Sequence, residues 1–310
     1  MSLLLLLGAG FSNWAADLPI ARQLFDFAIE PFGPKEERLL ARIRATKANW
    51  DTSHPGKQAE QFIAHAVAAG GAYRDLVLWY VQRRLVAPFI FQEGHVGRIR
   101  RHVLQIDERS RAKGRPGIVE TAKFLELARP DGIITLNYDM LVEYALGARG
   151  FHYGAPNQVL SGRGPYPVSQ FINPVQLRGT LPLLKLHGSI SWDERGEFAD
   201  GRRGLSGRAL IVAPVPEKIP PPELAHVWRA ARSLLRATTR IVAFGVAFNP
   251  YDEAVLALLG EAHPDAALLI DPYPKTAAAQ RVWPSARIVA IPPPPDGDGA
   301  IREWLHGAGA

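Results

Sequence analysis

Residues 3–24 read Leu3-Leu4-Leu5-Leu6-Leu7-Gly8-Ala9-Gly10-Phe11-Ser12-Asn13-Trp14-Ala15-Ala16-Asp17-Leu18-Pro19-Ile20-Ala21-Arg22-Gln23-Leu24. Five consecutive apolar residues suit a strand buried on both faces, as in the interior of a parallel sheet. Gly8 and Gly10 follow at once, and glycine lets a ligand approach the main chain. Polar Ser12 and Asn13 come next, ahead of a stretch that can be helical. A strand, a glycine turn and a helix start aim amide hydrogens at one point, a geometry suited to phosphate. Asn13 stands where the G-x-G-x-x-G fingerprint has its third glycine, so this stretch alone fits a tight turn in any α/β protein equally well.

The rest of the chain narrows the choice. With 310 residues, 47 % apolar and 21 % charged, it has ordinary globular composition and enough length for a large core. Its 36 basic and 30 acidic residues leave a net charge of +6, mostly arginine scattered along the chain. The densest stretch, Arg98 to Arg115, is interrupted by Asp107 and Glu108 and reads as a solvated helix face rather than a nucleic-acid surface. There is no cysteine, which excludes disulfides, thiol nucleophiles and cysteine zinc sites. No H-x-x-x-H pair encloses a glutamate, so no metal site is expected. The leucine run is too short to span a membrane and lacks the basic flank of a signal peptide, so a cytoplasmic location is expected.

Periodicity predicts a helix over about Pro19–Ile29, ended by Pro31, Gly33 and Pro34. Glu36–Ala48, Glu60–Ala69, Tyr73–Val86, Gly97–Ser110 and Val119–Ala128 also read as helices. They form an α-helical insertion at about 34–128, with Trp79, Tyr80, Phe89 and Phe91 in its core. Apolar strands are predicted at Gly132–Leu136, Leu183–Leu186, Ala209–Ala213, Arg240–Phe244, Ala266–Ile270 and Arg287–Ile291. Helices are expected at Met140–Leu146, Leu224–Ala237, Asp252–Leu259 and Ala300–His306. Residues 147–182 read as irregular connections, and Asp193–Gly207 as a hairpin or loop able to cover a pocket. The expected fold is therefore α/β: one Rossmann-like domain over 1–310, a parallel sheet with helices on both faces and the helical insertion.

Strand after strand ends in a polar or glycine cluster: Gly8-Ala9-Gly10, Asn137 and Asp139, His187, Gly245 and Asp271. In an open parallel sheet, ligands bind beyond the carboxyl ends of the strands, so these residues are expected to converge on one crevice. Taken singly they have plainer readings. Asn137, Asp139 and Asp252 are good helix caps, and Asp271 before Pro272 is a common turn pair. Tyr138, Trp192 and Phe248 read as packing.

In order, Gly8-Ala9-Gly10-Phe11-Ser12, Thr135-Leu136-Asn137-Tyr138-Asp139, Lys185-Leu186-His187-Gly188-Ser189 and Gly245-Val246-Ala247-Phe248 resemble the motif series of the sirtuins. There they are the GAG-x-S turn, the T-x-N-x-D strand end, the catalytic H-G and a phosphate turn. The resemblance covers most of the chain outside the insertion. It departs in two places. The four-cysteine zinc module of protein-deacylating sirtuins is missing, and Pro19-Ile20-Ala21-Arg22 stands where they have Pro-Asp-Phe-Arg. The missing Phe shields the reacting ribose carbon from water in the family. The match is closer to bacterial sirtuin-like proteins of antiphage defence that resemble NAD hydrolases.

That resemblance implies NAD+ as substrate, no metal, and hydrolysis of the nicotinamide–ribose bond to give ADP-ribose and nicotinamide. It assigns catalysis to His187, Asn137 and Asp139. His187 would be a general base, Asn137 would orient a ribose hydroxyl or the water, and Asp139 would stabilise the sugar cation or fix the carboxamide. It assigns cofactor binding to Gly8, Ala9, Gly10, Phe11, Ser12, Arg22, Gly245, Val246, Ala247, Phe248 and Asp271. Activation by homo-oligomerisation or by a partner is implied, for example a HerA-like ATPase or an Argonaute-type sensor. Direct nucleic-acid binding is not expected. Two alternatives stay open: a deacylase or ADP-ribosyltransferase, and a non-catalytic NAD or ADP-ribose sensor.

Overall fold

The structure is a computed structural model and describes residues 2–31, 33–86, 113–146, 150–154, 160–161, 181–190, 192, 209–213 and 222–307. Its centre is β1 (Leu3–Leu7), where Leu4 to Leu7 are wholly inaccessible to solvent. A strand buried at every position has both faces covered, and each fully buried leucine contributes roughly 1.5–3 kcal/mol.

The other strands are β2 (Gly132–Thr135), β3 (Gly150–His152), β4 (Leu160–Ser161), β5 (Leu181–Lys185), β6 (Gly188–Ser189), β7 (Leu210–Ile211), β8 (Arg240–Phe244), β9 (Ala266–Ile270) and β10 (Arg287–Ile291). The main sheet runs β10-β9-β8-β1-β2-β5-β3-β4. Each neighbouring pair is parallel except β3 with β4, an antiparallel edge. The chain leaves β1 for β2 on one side and later returns to lay β8 on the other. This reversal is a topological switch point, and in open parallel sheets ligands bind at such a point, beyond the carboxyl ends of the strands, here those of β1 and β8. β6 and β7 form a separate antiparallel hairpin. The strand expected over Ala209–Ala213 is only the two-residue β7.

The first helix, α1, runs Ala9–Ala16 and begins inside the glycine turn. The helix expected over Pro19–Ile29 is absent, and only Ala21–Gln23 makes a single 3-10 turn. Asp17 closes α1 in the left-handed region (φ 55°), with its N–H bonded to the Asn13 carbonyl. Phe27 is likewise left-handed (φ 56°), which stops any helix through it. What holds α1 is burial. Phe11, Trp14, Phe124 and Phe244 form one aromatic cluster, with Phe11 and Phe244 ring centroids 5.2 Å apart.

Helices α2 (Pro34–Ser53), α3 (Ala59–Ala69) and α4 (Gly71–Val86) lie where the insertion was expected, and α5 (Gly117–Ala128) leads back to β2. α2 starts with Pro34 in its first turn, followed by Glu36 and Glu37 beside the positive end of the helix dipole. The insertion has its own core, in which Leu40, Ile43, Phe62, Ile63, Val77, Tyr80 and Val81 are buried together with Met140, Ile190 and Ile211. The remaining helices are α6 (Leu141–Leu146), α7 (Ala225–Arg236), α8 (Glu253–Leu259), α9 (Thr276–Val282) and α10 (Asp298–His306).

Several elements went unseen in the sequence. Gly150–His152 and Leu160–Ser161, inside the stretch read as irregular, are strands of the main sheet, Gly188–Ser189 pairs with β7, and α9 fills the connection between β9 and β10. The expectations for Gly97–Ser110, Phe89, Phe91 and the Asp193–Gly207 loop lie outside the described residues. Among those described, no helix is long and apolar enough to cross a membrane.

Candidate active site

The crevice is closed at its floor by glycines from two distant strand ends. The Gly10 N–H donates to the Gly245 carbonyl at 3.1 Å, and the Gly8 N–H to the Phe244 carbonyl at 3.0 Å. A Cβ on Gly8 would lie 2.3 Å from the Gly245 oxygen, and one on Gly245 would lie 2.1 Å from the Phe11 nitrogen. Gly245 also has φ 65°. The glycines after β1 are thus needed for contact between two turns, where the sequence suggested contact with a ligand. The Gly8, Gly10 and Phe11 amides all donate to main-chain carbonyls. The turn after β8 is different. Among the described residues, the Val246, Ala247 and Phe248 amides have no main-chain partner. Ala247 is exposed at its tip.

Beside this floor, β2 ends in a connected polar chain. Asn137 Nδ2 donates to the Gly8 carbonyl and to Ser12 Oγ, both at 2.9 Å. Ser12 Oγ donates to Asp139 Oδ2 at 2.8 Å, and Asp139 Oδ1 accepts the Leu141 N–H at 3.0 Å. Because Gly8 O can only accept, the orientation of the Asn137 amide is fixed, and its Oδ1 has no hydrogen-bond partner among the described residues. Asp139 therefore serves as the cap of α6 and an anchor for Ser12.

His187 follows β5 and is 4 % exposed. Its Nδ1 donates to the Leu136 carbonyl at 3.1 Å, and its Nε2 lies 2.6 Å from Asp252 Oδ2. The Tyr138 ring is 6.0 Å away, centroid to centroid. Burial pushes the Tyr138 phenol well above its usual range, with the Glu60 and Asp252 carboxylates adding to the shift. Burial also raises the Glu60 carboxyl. Glu60, at the start of α3, brings the insertion to this side of the site.

Sequence reasoning missed a buried ion pair beneath these groups. Lys185 Nζ bonds Glu143 Oε1 at 2.9 Å and also donates to the Asp139 carbonyl. The Tyr153 hydroxyl donates to the same Glu143 oxygen at 2.9 Å. A lysine at the penultimate position of an apolar strand-end motif was the available signal.

The remaining expected contacts divide. Ser12 is brought into the Asn137 network and Ala9 is exposed beside it. The Phe11 ring is wholly buried in the aromatic cluster, where it anchors α1. Val246 and Phe248 are buried too, and Phe248 packs edge-on to Trp283 at 5.4 Å, so only their main chain remains for a ligand. Arg22 is exposed on its single turn. Asp271 follows β9, half-buried, with Oδ1 accepting the Tyr273 N–H at 2.7 Å. No group of three His, Asp or Glu side chains among the described residues could hold a metal ion.

No family model matches the sequence, and no curated protein matches it. Among solved structures, a mutant Sir2 homologue with 2'-O-acetyl-ADP-ribose is 16 % identical with a TM-score of 0.48, over 99 % of this chain and 91 % of that one. A Sir2 homologue–NAD complex is 14 % identical with a TM-score of 0.47, over 98 % and 87 %. A Sir2 complex with an inhibitor, 2'-O-acetyl-ADP-ribose and a deacetylated peptide gives 15 % and 0.39, over 100 % and 95 %. At TM-scores below 0.5, the parallel sheet and its switch point carry the fold assignment, and these likenesses do not.

Proposed function

We propose that this chain is a sirtuin-like NAD+ hydrolase that converts NAD+ and water to ADP-ribose, nicotinamide and a proton. The observation that carries this reading is the meeting of four strand tips. Gly8 after β1, Asn137 after β2, His187 after β5 and Gly245 after β8 are joined by direct bonds and contacts around one crevice. The same residues form the sirtuin-like motif series in the sequence.

The chemistry needs a held pyrophosphate, an oriented ribose and a delivered water. The main chain of Val246–Phe248 supplies amides for the pyrophosphate, since the Gly8, Gly10 and Phe11 amides are already bonded. Asn137, fixed through its Nδ2, presents Oδ1 to accept from a ribose hydroxyl or from water. Nicotinamide is a good leaving group, so orientation and electrostatic stabilisation of the sugar cation are the main demands. The missing Asp–Phe pair after Pro19 favours water as the acceptor over an acyl-lysine. The setting we infer is antiphage defence by NAD+ depletion, in one domain whose activity awaits self-association or a partner.

The test is incubation of the purified full chain with NAD+, alone and with its genomic neighbours' products, following nicotinamide and ADP-ribose. Release that is lost in His187→Ala and Asn137→Ala is expected. Undiminished release in both variants, or deacylation of an acyl-lysine peptide in place of hydrolysis, overturns the reading.

A further inference from the structure

We propose that Asp252 is a positioning residue for His187, holding its imidazole as a doubly protonated ring within a buried, neutral ion pair. As a role in catalysis, this rests on the hydrolase reading above. As a statement about the ring, it rests on geometry alone.

Asp252 occupies the N-cap position of α8, where an aspartate usually accepts a hydrogen bond from the helix. Its side chain makes no capping bond. Its carboxylate instead approaches His187 Nε2 at 2.6 Å, and both side chains are 5 % exposed. The opposite ring nitrogen faces the Leu136 carbonyl at 3.1 Å, and a carbonyl oxygen can only accept. An Nε2 lone pair 2.6 Å from a carboxylate oxygen would be repelled, so Nε2 carries a proton and the contact is an ion pair. Imidazole holds a proton more strongly than a carboxylate, about 6.5 against 3.9 on the pH scale, so it sits on nitrogen. His187 then carries protons on both nitrogens and Asp252 cancels the charge. Tyr138 also faces the ring, and the Glu60 carboxylate of the insertion acts on the Tyr138 phenol through its charge.

The pairing bears on the chemistry. An isolated imidazolium beside a forming sugar cation would raise the barrier, whereas a neutral pair does not. With one ring nitrogen facing the Leu136 carbonyl and the other the Asp252 carboxylate, His187 keeps no lone pair for proton abstraction, so its role as an unassisted general base is not the one this geometry offers. Asp252 lies seven residues after Gly245, on the turn whose amides would hold the pyrophosphate. Its N–H donates to the Asn249 carbonyl at 3.0 Å. Cofactor binding and the setting of the imidazole thus share one stretch of chain.

The experiment uses the full chain labelled with 15N-histidine, with the His187 ring assigned by its loss in His187→Gln. At about pH 8, where an ordinary histidine is neutral, His187 is expected to show two protonated nitrogens. In Asp252→Asn it is expected to become neutral, with its proton on Nδ1. A neutral ring in the native chain, or the same ring in both proteins, overturns the proposal. In parallel, Asp252→Asn is expected to lower kcat for NAD+ by roughly tenfold to a hundredfold, with NAD+ affinity changed less than about threefold. Asp252→Glu should recover part of the rate. Unchanged or raised turnover in Asp252→Asn overturns the positioning role. A native chain that shows the doubly protonated ring but cleaves no NAD+ with any partner refutes the hydrolase reading and leaves the ion pair standing.

Discussion

Asn137 donates its side-chain amide to the carbonyl of Gly8 at 2.9 Å, joining two strand tips that are 129 residues apart in sequence. The same nitrogen reaches Ser12, which in turn anchors Asp139. The candidate site is thus a bonded unit, and its members act on stability as well as on chemistry.

Replacing Asn137 should therefore have two effects. Asn137→Ala removes two hydrogen bonds and leaves the Gly8 carbonyl and Ser12 Oγ short of a donor. A loss of roughly 2 kcal/mol is expected in denaturant unfolding, together with loss of NAD+ turnover. Asn137→Asp keeps the shape but turns an acceptor toward Gly8 O, and should be at least as destabilising.

The glycine contact predicts a sharp contrast. Gly245→Ala must place a Cβ 2.1 Å from the Phe11 nitrogen at φ 65°. It should cost roughly 3 kcal/mol or more and lower soluble yield. Gly299→Ala in α10 meets nothing within 4 Å. It should raise stability by about 0.5–1 kcal/mol through helix propensity. Thermal unfolding of the two variants beside the native chain checks both signs.

Lys185 and Glu143 are 1 % and 3 % exposed at their side chains. Lys185→Met strands a buried carboxylate and should cost roughly 3–5 kcal/mol. Adding Glu143→Gln should restore part of that loss, so the double variant is expected to be more stable than the sum of the singles. A double-mutant cycle by chemical denaturation measures the coupling. A purely additive result would remove the pair from the account of how Asp139 is supported.

Burial lowers the His152 imidazole below its ordinary 6.5, and its Nδ1 accepts the Gly154 N–H at 3.2 Å, which a protonated ring cannot do. The folded state therefore binds fewer protons than the unfolded state below pH 6.5. Stability from this residue is complete above that value and is lost as pH falls through the folded pKa. Denaturation midpoints across this range should drop, and the drop should shrink in His152→Asn, whose side-chain oxygen can still accept.

The strand pattern was legible because it is local. β1, β2, β5, β8 and β9 fall on apolar runs that end in polar or glycine residues, and β10 on an apolar run that ends in prolines. α1 was not legible, because Ala9-Gly10-Phe11-Ser12-Asn13 has weak helix propensity and becomes helical only when Phe11 and Trp14 pack on Phe124 and Phe244. The better local helix former, Pro19–Ile29, has no such face to bury and makes a single turn. β3 is three residues long, too short for a period to show. In the site, Phe11 and Phe248 were expected near the cofactor, and their rings are core anchors.

The sequence by itself determined an α/β chain and named Asn137, Asp139, His187 and Gly245 as strand-end residues, since alternation of apolar runs and polar tips is written in neighbouring positions. Only the tertiary structure decided their partners. Gly8 and Gly10 pack against Gly245, Asn137 is bonded to Ser12, and the Asp252 carboxylate lies against His187. The physical reason is range: residues more than sixty positions apart meet only after the sheet is ordered. Aspartate at a helix start looks the same in sequence whether it caps that helix or faces an imidazole from another strand.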